Sequence, residues 1–148
     1  MTDVLIRRSQ VDEVDSVRAV VQTVVDDVYG GLWAPAPLPV DEEDWQSSWV
    51  AVRDAKIVGV VRTSKEWLDD LWVLRENRGC GIGQRLLAQG EAEIVARGYE
   101  TMHLRVVQSN ARAIEFYRRH GWRIDRAFPH ERFPITMVEM FKAIRQRC

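Results

Sequence analysis

Apolar and polar residues alternate along this chain with two different spacings. From Gln10 to Tyr29 valines recur every three or four positions, which places them on one face of an amphipathic helix. The same spacing recurs over Ile82–Val95 and Asn110–His120. The second of these helices is predicted to present a core face of Ile82, Leu86, Leu87, Ile94 and Val95. A glycine closely follows each segment, which predicts where each helix ends.

Shorter runs rich in β-branched and aromatic residues predict strands. These runs are Val4–Ile6, Trp49–Arg53, Lys56–Thr63, Trp67–Leu74, Met102–Val107 and Phe133–Phe141. Asp54 and Ala55 alone separate the second run from the third, so they predict a hairpin, and the fourth run extends it into a meander. Three prolines predict an extended loop over Leu32–Val40, and a short acidic helix is expected over Asp41–Trp45. The mixture predicts an α+β fold, whose strand order the pattern alone leaves open.

Composition narrows the class of protein. The chain has 148 residues, of which 46% are apolar and 29% charged, so we expect one globular domain over residues 1–148. Its net charge is −1, which gives no general field for nucleic acid or an anionic membrane. No run is apolar over the length of a bilayer, and the two cysteines, Cys80 and Cys148, have no metal-ligand spacing. We therefore expect a cytoplasmic protein with no metal ion and no nucleic-acid or membrane partner.

The first candidate functional motif is a glycine-rich turn between the fourth predicted strand and the second predicted helix. Glycines let phosphate oxygens approach the backbone, and a helix N-terminus adds free amides and positive potential. A dinucleotide fingerprint requires a third glycine at position 84, where Gln84 stands, and the triphosphate loop requires a Gly-Lys-Ser/Thr that the chain lacks. What remains is Arg-x-x-Gly-x-Gly, at Arg78, Gly81 and Gly83. An ordinary helix-capping turn explains this hexapeptide equally well.

A second motif decides between these two interpretations. Asn110, Ala113 and Tyr117 fall at i, i+3 and i+7, so they share one face of the third helix, and Gly121 and Trp122 follow. Together with the glycine turn, this order resembles the two signatures of the GNAT superfamily of acyl-CoA-dependent N-acyltransferases. The resemblance covers the whole chain and is most specific between positions 69 and 122. It implies a single GNAT-like domain with a mixed, mostly antiparallel central sheet, a splayed wedge and about four flanking helices.

The resemblance also implies how the chain holds acetyl-CoA, the expected acyl donor. In this family a bulged strand splays from its neighbour, and the pantetheine arm inserts between them like an extra strand. Backbone groups of Leu71, Trp72 and Val73 are expected to contact that arm, and Val73 N–H to polarise the thioester carbonyl. The pyrophosphate is expected on Arg78, Gly79, Cys80, Gly81, Ile82, Gly83 and Gln84, and the pantetheine beside Asn110, Ala113 and Tyr117. We interpret the Cys80 thiol as a surface or packing group, because no histidine lies near it in sequence to activate it.

Acyl transfer to an amine calls for a general acid and a general base. An alkylammonium with a pKa of about 10.4 is roughly 0.1% neutral at pH 7.4, so loss of its proton costs about 4 kcal/mol. The resemblance implies that Tyr117 is the acid that protonates the leaving thiolate. Glu66, Asp69 and Asp70 are the candidate bases, and strand alternation predicts Glu66 and Asp70 on one face with Asp69 on the other. Glu66 and Asp70 are therefore taken as catalytic candidates.

The identity of the amine acceptor stays open at this point. The segments Tyr29–Trp49 and Ala127–Pro134 are expected to meet it, and they combine aromatic residues with carboxylates that suit a cationic amine. Small polyamines, amino acids, aminoglycosides and protein amines all fit this description. A non-catalytic acyl-CoA sensor or interaction module with the same fold is the alternative function, although the intact phenol and glycine turn favour an enzyme. A homodimer is compatible with the sequence.

Overall fold

A seven-stranded mixed sheet and three α-helices make up the described part of the chain, residues 3–30, 45–131 and 133–144 of a computed structural model. The strands are β1 (Leu5–Arg8), β2 (Trp49–Arg53), β3 (Lys56–Ser64), β4 (Trp67–Val73), β5 (Thr101–Val107), β6 (Arg123–Pro129) and β7 (Thr136–Ala143). The helices are α1 (Val14–Tyr29), α2 (Ile82–Ala96) and α3 (Ala111–Arg119). The order is β1-β2-β3-β4-β5-β7-β6, and β4 with β5 is the parallel pair. The predicted α+β fold with a mixed, mostly antiparallel sheet is confirmed.

The parallel strands β4 and β5 separate soon after they pair. Two residue pairs join them, Trp67 with His103 and Leu68 with Leu104. Beyond Leu68, β4 continues along β3 to Val73, whereas β5 continues along β7. An open wedge therefore lies between the ends of the two strands, as the family resemblance implies.

A β-bulge on β4 marks the start of this wedge. Arg62 of β3 pairs with Asp70, and the next pair joins Thr63 to Leu68, so Asp69 is the extra residue. A bulge bends the strand that carries it and increases its local twist. The bulge therefore helps to turn the end of β4 away from β5.

Two hydrophobic cores place the helices on opposite faces of the sheet. The helix α1 packs in the core that contains Val60, whereas α2 and Tyr117 of α3 belong to the core that contains Val61. Consecutive strand residues point to opposite faces, so these cores lie on opposite sides. Gly90 lets α2 approach closely, because a Cβ there would lie 2.8 Å from a methyl carbon of Leu68. The wedge thus has α1 on one side and α3 on the other.

The structure corrects the predicted elements in three places. Val95 is 45% exposed and lies outside the core face of α2, because it is about 100° around the helix from the buried Ile94. The last strand begins at Thr136, since Phe133 and Ile135 form a turn in which Ile135 N–H donates to the Phe133 carbonyl. The strand β6 has no predicted counterpart. Its residues are mostly exposed and lack apolar alternation, and it forms by pairing with β7 at the edge of the sheet.

The expected helix count is only roughly met. Three α-helices fall within the described residues, against about four expected. The predicted loop over Leu32–Val40 lies outside the described residues, as does most of the predicted acidic helix. Its last residue, Trp45, begins a short 3-10 turn that ends at Ser47.

Candidate functional site

The glycine loop has a backbone that favours glycine at two positions. Gly79 and Gly81 have φ angles of 82° and 80°, in the left-handed region. A Cβ at either position would meet nothing within 4 Å, so the backbone conformation and not the available space selects glycine. Gly81 directly precedes α2, whose first-turn amides lack carbonyl partners within the helix. The loop and these amides form a helix N-terminus suited to an anion.

Three arginines surround this loop. Arg78 lies in the loop itself, and Arg112 and Arg119 extend from α3 to the same cavity. Arg119 lies 3.6 Å from the Glu115 carboxylate, whereas Arg78 and Arg112 form no ion pair with any described residue. Burial lowers the pKa of Arg78, and the nearby charge of Arg112 lowers it further. This excess of positive charge favours a polyanionic ligand.

A cavity of about 670 Å³ opens between the glycine loop, β4 and α3. The predicted binding residues at its wall are Leu71, Trp72, Val73, Arg78, Gly79, Gly81, Gly83, Gln84, Asn110, Ala113 and Tyr117. Two predicted residues lie outside this wall. Cys80 is exposed, with its Sγ 3.8 Å from an Arg53 nitrogen, and Ile82 is buried in the core beneath α2. The structure thus gathers most of the predicted set around one cavity.

Backbone groups of β4 face the wedge. Leu74 N–H donates to the Val58 carbonyl of β3 at 2.9 Å, which fixes the hydrogen-bonding pattern of the two strands. In an antiparallel pair alternate residues bond to the partner, so Trp72 bonds to β3 as Leu74 does. Leu71 and Val73 therefore turn their N–H and C=O groups to the side from which β5 has diverged. Of the three residues expected to offer backbone groups, Trp72 has its backbone turned toward β3 instead.

Tyr117 lies where two cavities meet. Its side chain is 8% exposed and lines both the large cavity and a second one of about 70 Å³. Burial raises the pKa of the Tyr117 phenol, and the proximity of Tyr29 and Asp70 raises it further. The phenol is therefore protonated at neutral pH, where it can act as a proton donor.

Asn110 connects α3 to the end of α1. Its Oδ1 accepts a hydrogen bond from Ala113 N–H at 3.2 Å, which caps α3, and its Nδ2 donates to the Tyr29 hydroxyl at 3.1 Å. Burial raises the pKa of Tyr29, and the hydrogen bond from Asn110 opposes that rise. The amide thus holds two elements together at the mouth of the wedge.

The second cavity contains two of the three candidate bases. The Asp70 carboxylate is nearly buried, accepts hydrogen bonds from Arg62 at 2.9 Å and accepts another from the Trp72 indole at 3.0 Å. Asp69 accepts a hydrogen bond from Ser64 and lies 3.5 Å from Arg62. Burial raises the pKa of Asp70, whereas Arg62 and Trp72 oppose the rise. Two carboxylates therefore share one guanidinium beside the cavity.

Strand alternation, which predicts Asp69 and Asp70 on opposite faces of β4, does not apply at this point of the strand. The bulge at Asp69 interrupts it, and both carboxylates lie beside Arg62. Glu66 precedes β4, in the turn after β3, and its carbonyl accepts the His103 N–H at 2.9 Å. Glu66 lines neither cavity. The structure thus brings Asp70, but not Glu66, to the cavity that Tyr117 lines.

Sequence reasoning missed two residues of the site, Arg62 and Arg105, and gave Tyr29 only as the first residue of a segment expected to meet the acceptor. Tyr29 and Arg105 line the second cavity, and Arg62 holds its carboxylates. Arg62 and Arg105 each interrupt an apolar strand, and a charge in such a run is a signal that could have identified them. Tyr29 gives no comparable signal, because a tyrosine at the end of a helix is ordinary packing in most proteins.

Two kinds of feature are absent from residues 3–30, 45–131 and 133–144. No group of three or more His, Cys, Asp or Glu side chains there could hold a metal ion. None of the helices in these ranges is long and apolar enough to cross a membrane.

A splayed wedge with a glycine loop at one end and a buried phenol beside it is the arrangement expected of an acyltransferase. Residues 19–122, well over half of the chain, match the Acetyltransferase (GNAT) family, so the chain belongs to this family. No curated protein sequence is similar enough to the chain to count as a match.

Three solved structures of similar fold serve as examples. The apo form of YjaB from Escherichia coli has a TM-score of 0.75 and 23% identity, over 94% of this chain and 97% of that one. The PaiA N-acetyltransferase from Thermoplasma acidophilum, solved in complex with coenzyme A, has a TM-score of 0.79 and 16% identity, over 96% of this chain and 99% of that one. Ard1 from Thermoplasma volcanium has a TM-score of 0.78 and 20% identity, over 97% of this chain and 99% of that one. At these identities the likeness establishes the fold alone.

Proposed function

We propose that this protein transfers an acetyl group from acetyl-CoA to a primary amine by direct attack within a ternary complex. The observation that carries the proposal is the position of Tyr117, whose side chain lines both cavities. One cavity combines the glycine loop with Arg78 and Arg112, which form no ion pair with any described residue, and the other holds Asp69 and Asp70. A donor and an acceptor bound in the two cavities would therefore meet beside the phenol.

In this proposal the parts of acetyl-CoA would lie along the large cavity in order. The left-handed glycines and the first-turn amides of α2 suit the pyrophosphate, and Arg78 and Arg112 supply positive charge. The outward backbone groups of Leu71 and Val73 would bond to the amides of the pantetheine arm as a strand does. The Val73 N–H would then polarise the thioester carbonyl. A PaiA N-acetyltransferase of similar fold was solved with coenzyme A bound, which supports this donor.

In the proposed reaction the neutral amine attacks the thioester carbonyl carbon, and the carbon–sulfur bond breaks as the tetrahedral intermediate collapses. The amine proton passes to a carboxylate or to water, and the departing thiolate takes the hydroxyl proton of Tyr117. Asp70 is the better candidate for the base, because it lines the acceptor cavity and its pKa is raised by burial. Asp69 lines the same cavity, whereas Glu66 would need a chain of water molecules to reach it.

A screen of amine acceptors tests the function. Purified protein, acetyl-CoA and single amines are mixed, and release of the free CoA thiol is measured together with the mass of the acetylated product. The screen covers amino acids, polyamines, aminoglycosides and peptides. Thiol release that depends on one class of amine supports the proposal. Binding of acetyl-CoA without transfer to any amine would instead favour the acyl-CoA sensor.

The variant Cys80→Ala separates direct attack from transfer through an acyl-cysteine. Cys80 is exposed and lines neither cavity, so its removal should leave acetyl-CoA binding and turnover unchanged. Intact-mass measurement of the parent protein after reaction with acetyl-CoA alone should show no covalent acetyl group. An acetylated Cys80, with loss of turnover in Cys80→Ala, would contradict direct attack.

A further inference from the structure

The two strands that border the second cavity carry charges of opposite sign. Asp69 and Asp70 line the cavity from β4, and Arg105 lines it from β5. Arg62 is the guanidinium paired with both carboxylates, so the wall on the β4 side has an excess of one negative charge. This wall suits the ammonium group of an acceptor.

The charged groups around Arg105, next to this cavity, have the reverse balance. Among the residues that the structure describes, Arg105 and Arg126 approach one carboxylate, that of Glu139, at 3.7 Å and 3.5 Å. Both separations exceed the usual length of a hydrogen bond, so neither arginine is firmly engaged. Glu139 is buried, whereas the arginine side chains are 53% and 56% exposed. Two guanidinium groups and one carboxylate leave an excess of one positive charge beside the cavity.

Aromatic rings hold the guanidinium of Arg105 in place. Its central carbon lies 4.8 Å from the centre of the Trp67 ring and 5.6 Å from that of Phe128. Contact through the faces of these rings leaves the N–H groups at the edge of the guanidinium free to donate. A fixed guanidinium with free N–H groups is the geometry that binds a carboxylate through two hydrogen bonds.

We propose that the acceptor is an amine that also carries a carboxylate, as a free amino acid or an acidic peptide does. The ammonium group lies beside Asp69 and Asp70, and the carboxylate is bound by Arg105. This proposal rests on the N-acetyltransferase function and names the substrate class of the same site. A polyamine has no group for Arg105, and its second charge is repelled by that side of the cavity.

Matched pairs of acceptors test the substrate class. Each pair consists of an ω-amino acid and the amide of the same chain length, from glycine and glycinamide through β-alanine to longer chains. The dipeptides Gly-Glu and Gly-Gln, both with amidated C-termini, extend the test to an acidic peptide. We expect kcat/KM for the best carboxylate to exceed that of its amide by about tenfold or more. The preference should weaken at high salt, because exposed charges are screened.

Arg105→Gln identifies the residue that recognises the carboxylate. This variant should lose the preference for the carboxylate over the matched amide. The control Arg118→Gln removes the same charge from an exposed residue of α3 that lines neither cavity, so the preference should persist. An equal preference in Arg105→Gln and in the parent, or a parent that favours amides or spermidine, would overturn the proposal.

A direct measurement of acceptor binding distinguishes this proposal from the proposed function. The CoA-saturated protein is titrated calorimetrically with both members of each pair, in the parent and in Arg105→Gln. Carboxylate-selective binding that depends on Arg105, without acetyl transfer, would retain the proposed ligand class and reject the N-acetyltransferase. Acetyl transfer to amines without any such selectivity would retain the enzyme and reject the proposed class.

Discussion

Replacement of Gly81 isolates the role of charge in donor binding. Gly81 has φ 80° and ψ 6°, and a Cβ there would meet nothing within 4 Å. Asparagine and aspartate are the residues other than glycine that best tolerate this backbone region, and they have nearly the same shape. Gly81→Asn and Gly81→Asp should therefore lose similar folding stability, about 1 kcal/mol each. Only the second variant places a negative charge in the loop.

The size of the charge effect follows from Coulomb's law. An aspartate at position 81 would lie in the loop proposed for the pyrophosphate, and a separation of about 6 Å between the two charges is taken for the estimate. At an effective dielectric constant of about 20 to 40, that repulsion is about 1.4–2.8 kcal/mol, or roughly 10- to 100-fold in Kd. The asparagine side chain in Gly81→Asn is uncharged, so it adds no such repulsion. We therefore expect the affinity for acetyl-CoA to fall much further in Gly81→Asp than in Gly81→Asn.

Thermal unfolding measures the difference. Acetyl-CoA at about 100 times its Kd stabilises a protein by about 2.7 kcal/mol, which raises Tm by about 5–10 °C in a chain of this size. A Kd that is 30-fold higher should reduce this shift to about a third. NAD and ATP should not raise the parent's Tm comparably. The reasoning fails if NAD stabilises the parent as acetyl-CoA does, or if both variants lose the shift equally.

Three further predictions concern acid, base and stability. Tyr117→Phe should lower turnover by about 10²–10⁴ with little change in CoA affinity, and unchanged turnover in a chemistry-limited assay would exclude Tyr117 as the acid. For the parent, log kcat/KM should rise with pH at unit slope, and Asp70→Asn should shift or flatten that rise, whereas Glu66→Gln should retain it. Arg7 hydrogen-bonds Glu13 and lowers the Glu13 pKa to about 2, so this stabilisation is present above the ordinary pKa of 4.5 and is lost as pH falls toward 2. Glu13→Gln should therefore lower the free energy of unfolding by about 1 kcal/mol at neutral pH, and its Tm should fall less than that of the parent as the pH is lowered. A variant whose Tm depends on pH as the parent's does would contradict this prediction.

The side of the site proposed for the donor could be predicted from the sequence because its parts are local. The left-handed turn at Gly79 and Gly81 and the shared helix face of Asn110, Ala113 and Tyr117 each depend on one short stretch of chain. Glycine conformational preference and the helical period are enough to infer such geometry. The structure accordingly places all five residues around one cavity.

The side of the site proposed for the amine acceptor could not be predicted in the same way. It depends on the bulge at Asp69, which breaks the alternation used to assign faces to the carboxylates. It depends also on partners in different strands, such as Arg62 with Asp70 and Arg105 with Glu139. The order of these strands does not follow from the hydrophobic pattern, so neither pair could be inferred before the sheet was known.

The raised pKa of the Tyr117 phenol excludes it from one of the two proposed proton transfers. A phenol that stays protonated at neutral pH cannot accept the proton of the attacking amine, so it is suited to the leaving thiolate. In water that transfer is uphill by about 2 kcal/mol, because a thiol has a pKa of about 8.5 and a phenol about 10. Burial raises the pKa of a thiol for the same reason as that of a phenol, since both anions lose hydration in the wedge. The proposed division of roles therefore follows from placement, in which Tyr117 lines both cavities and Asp70 lines only the one for the acceptor.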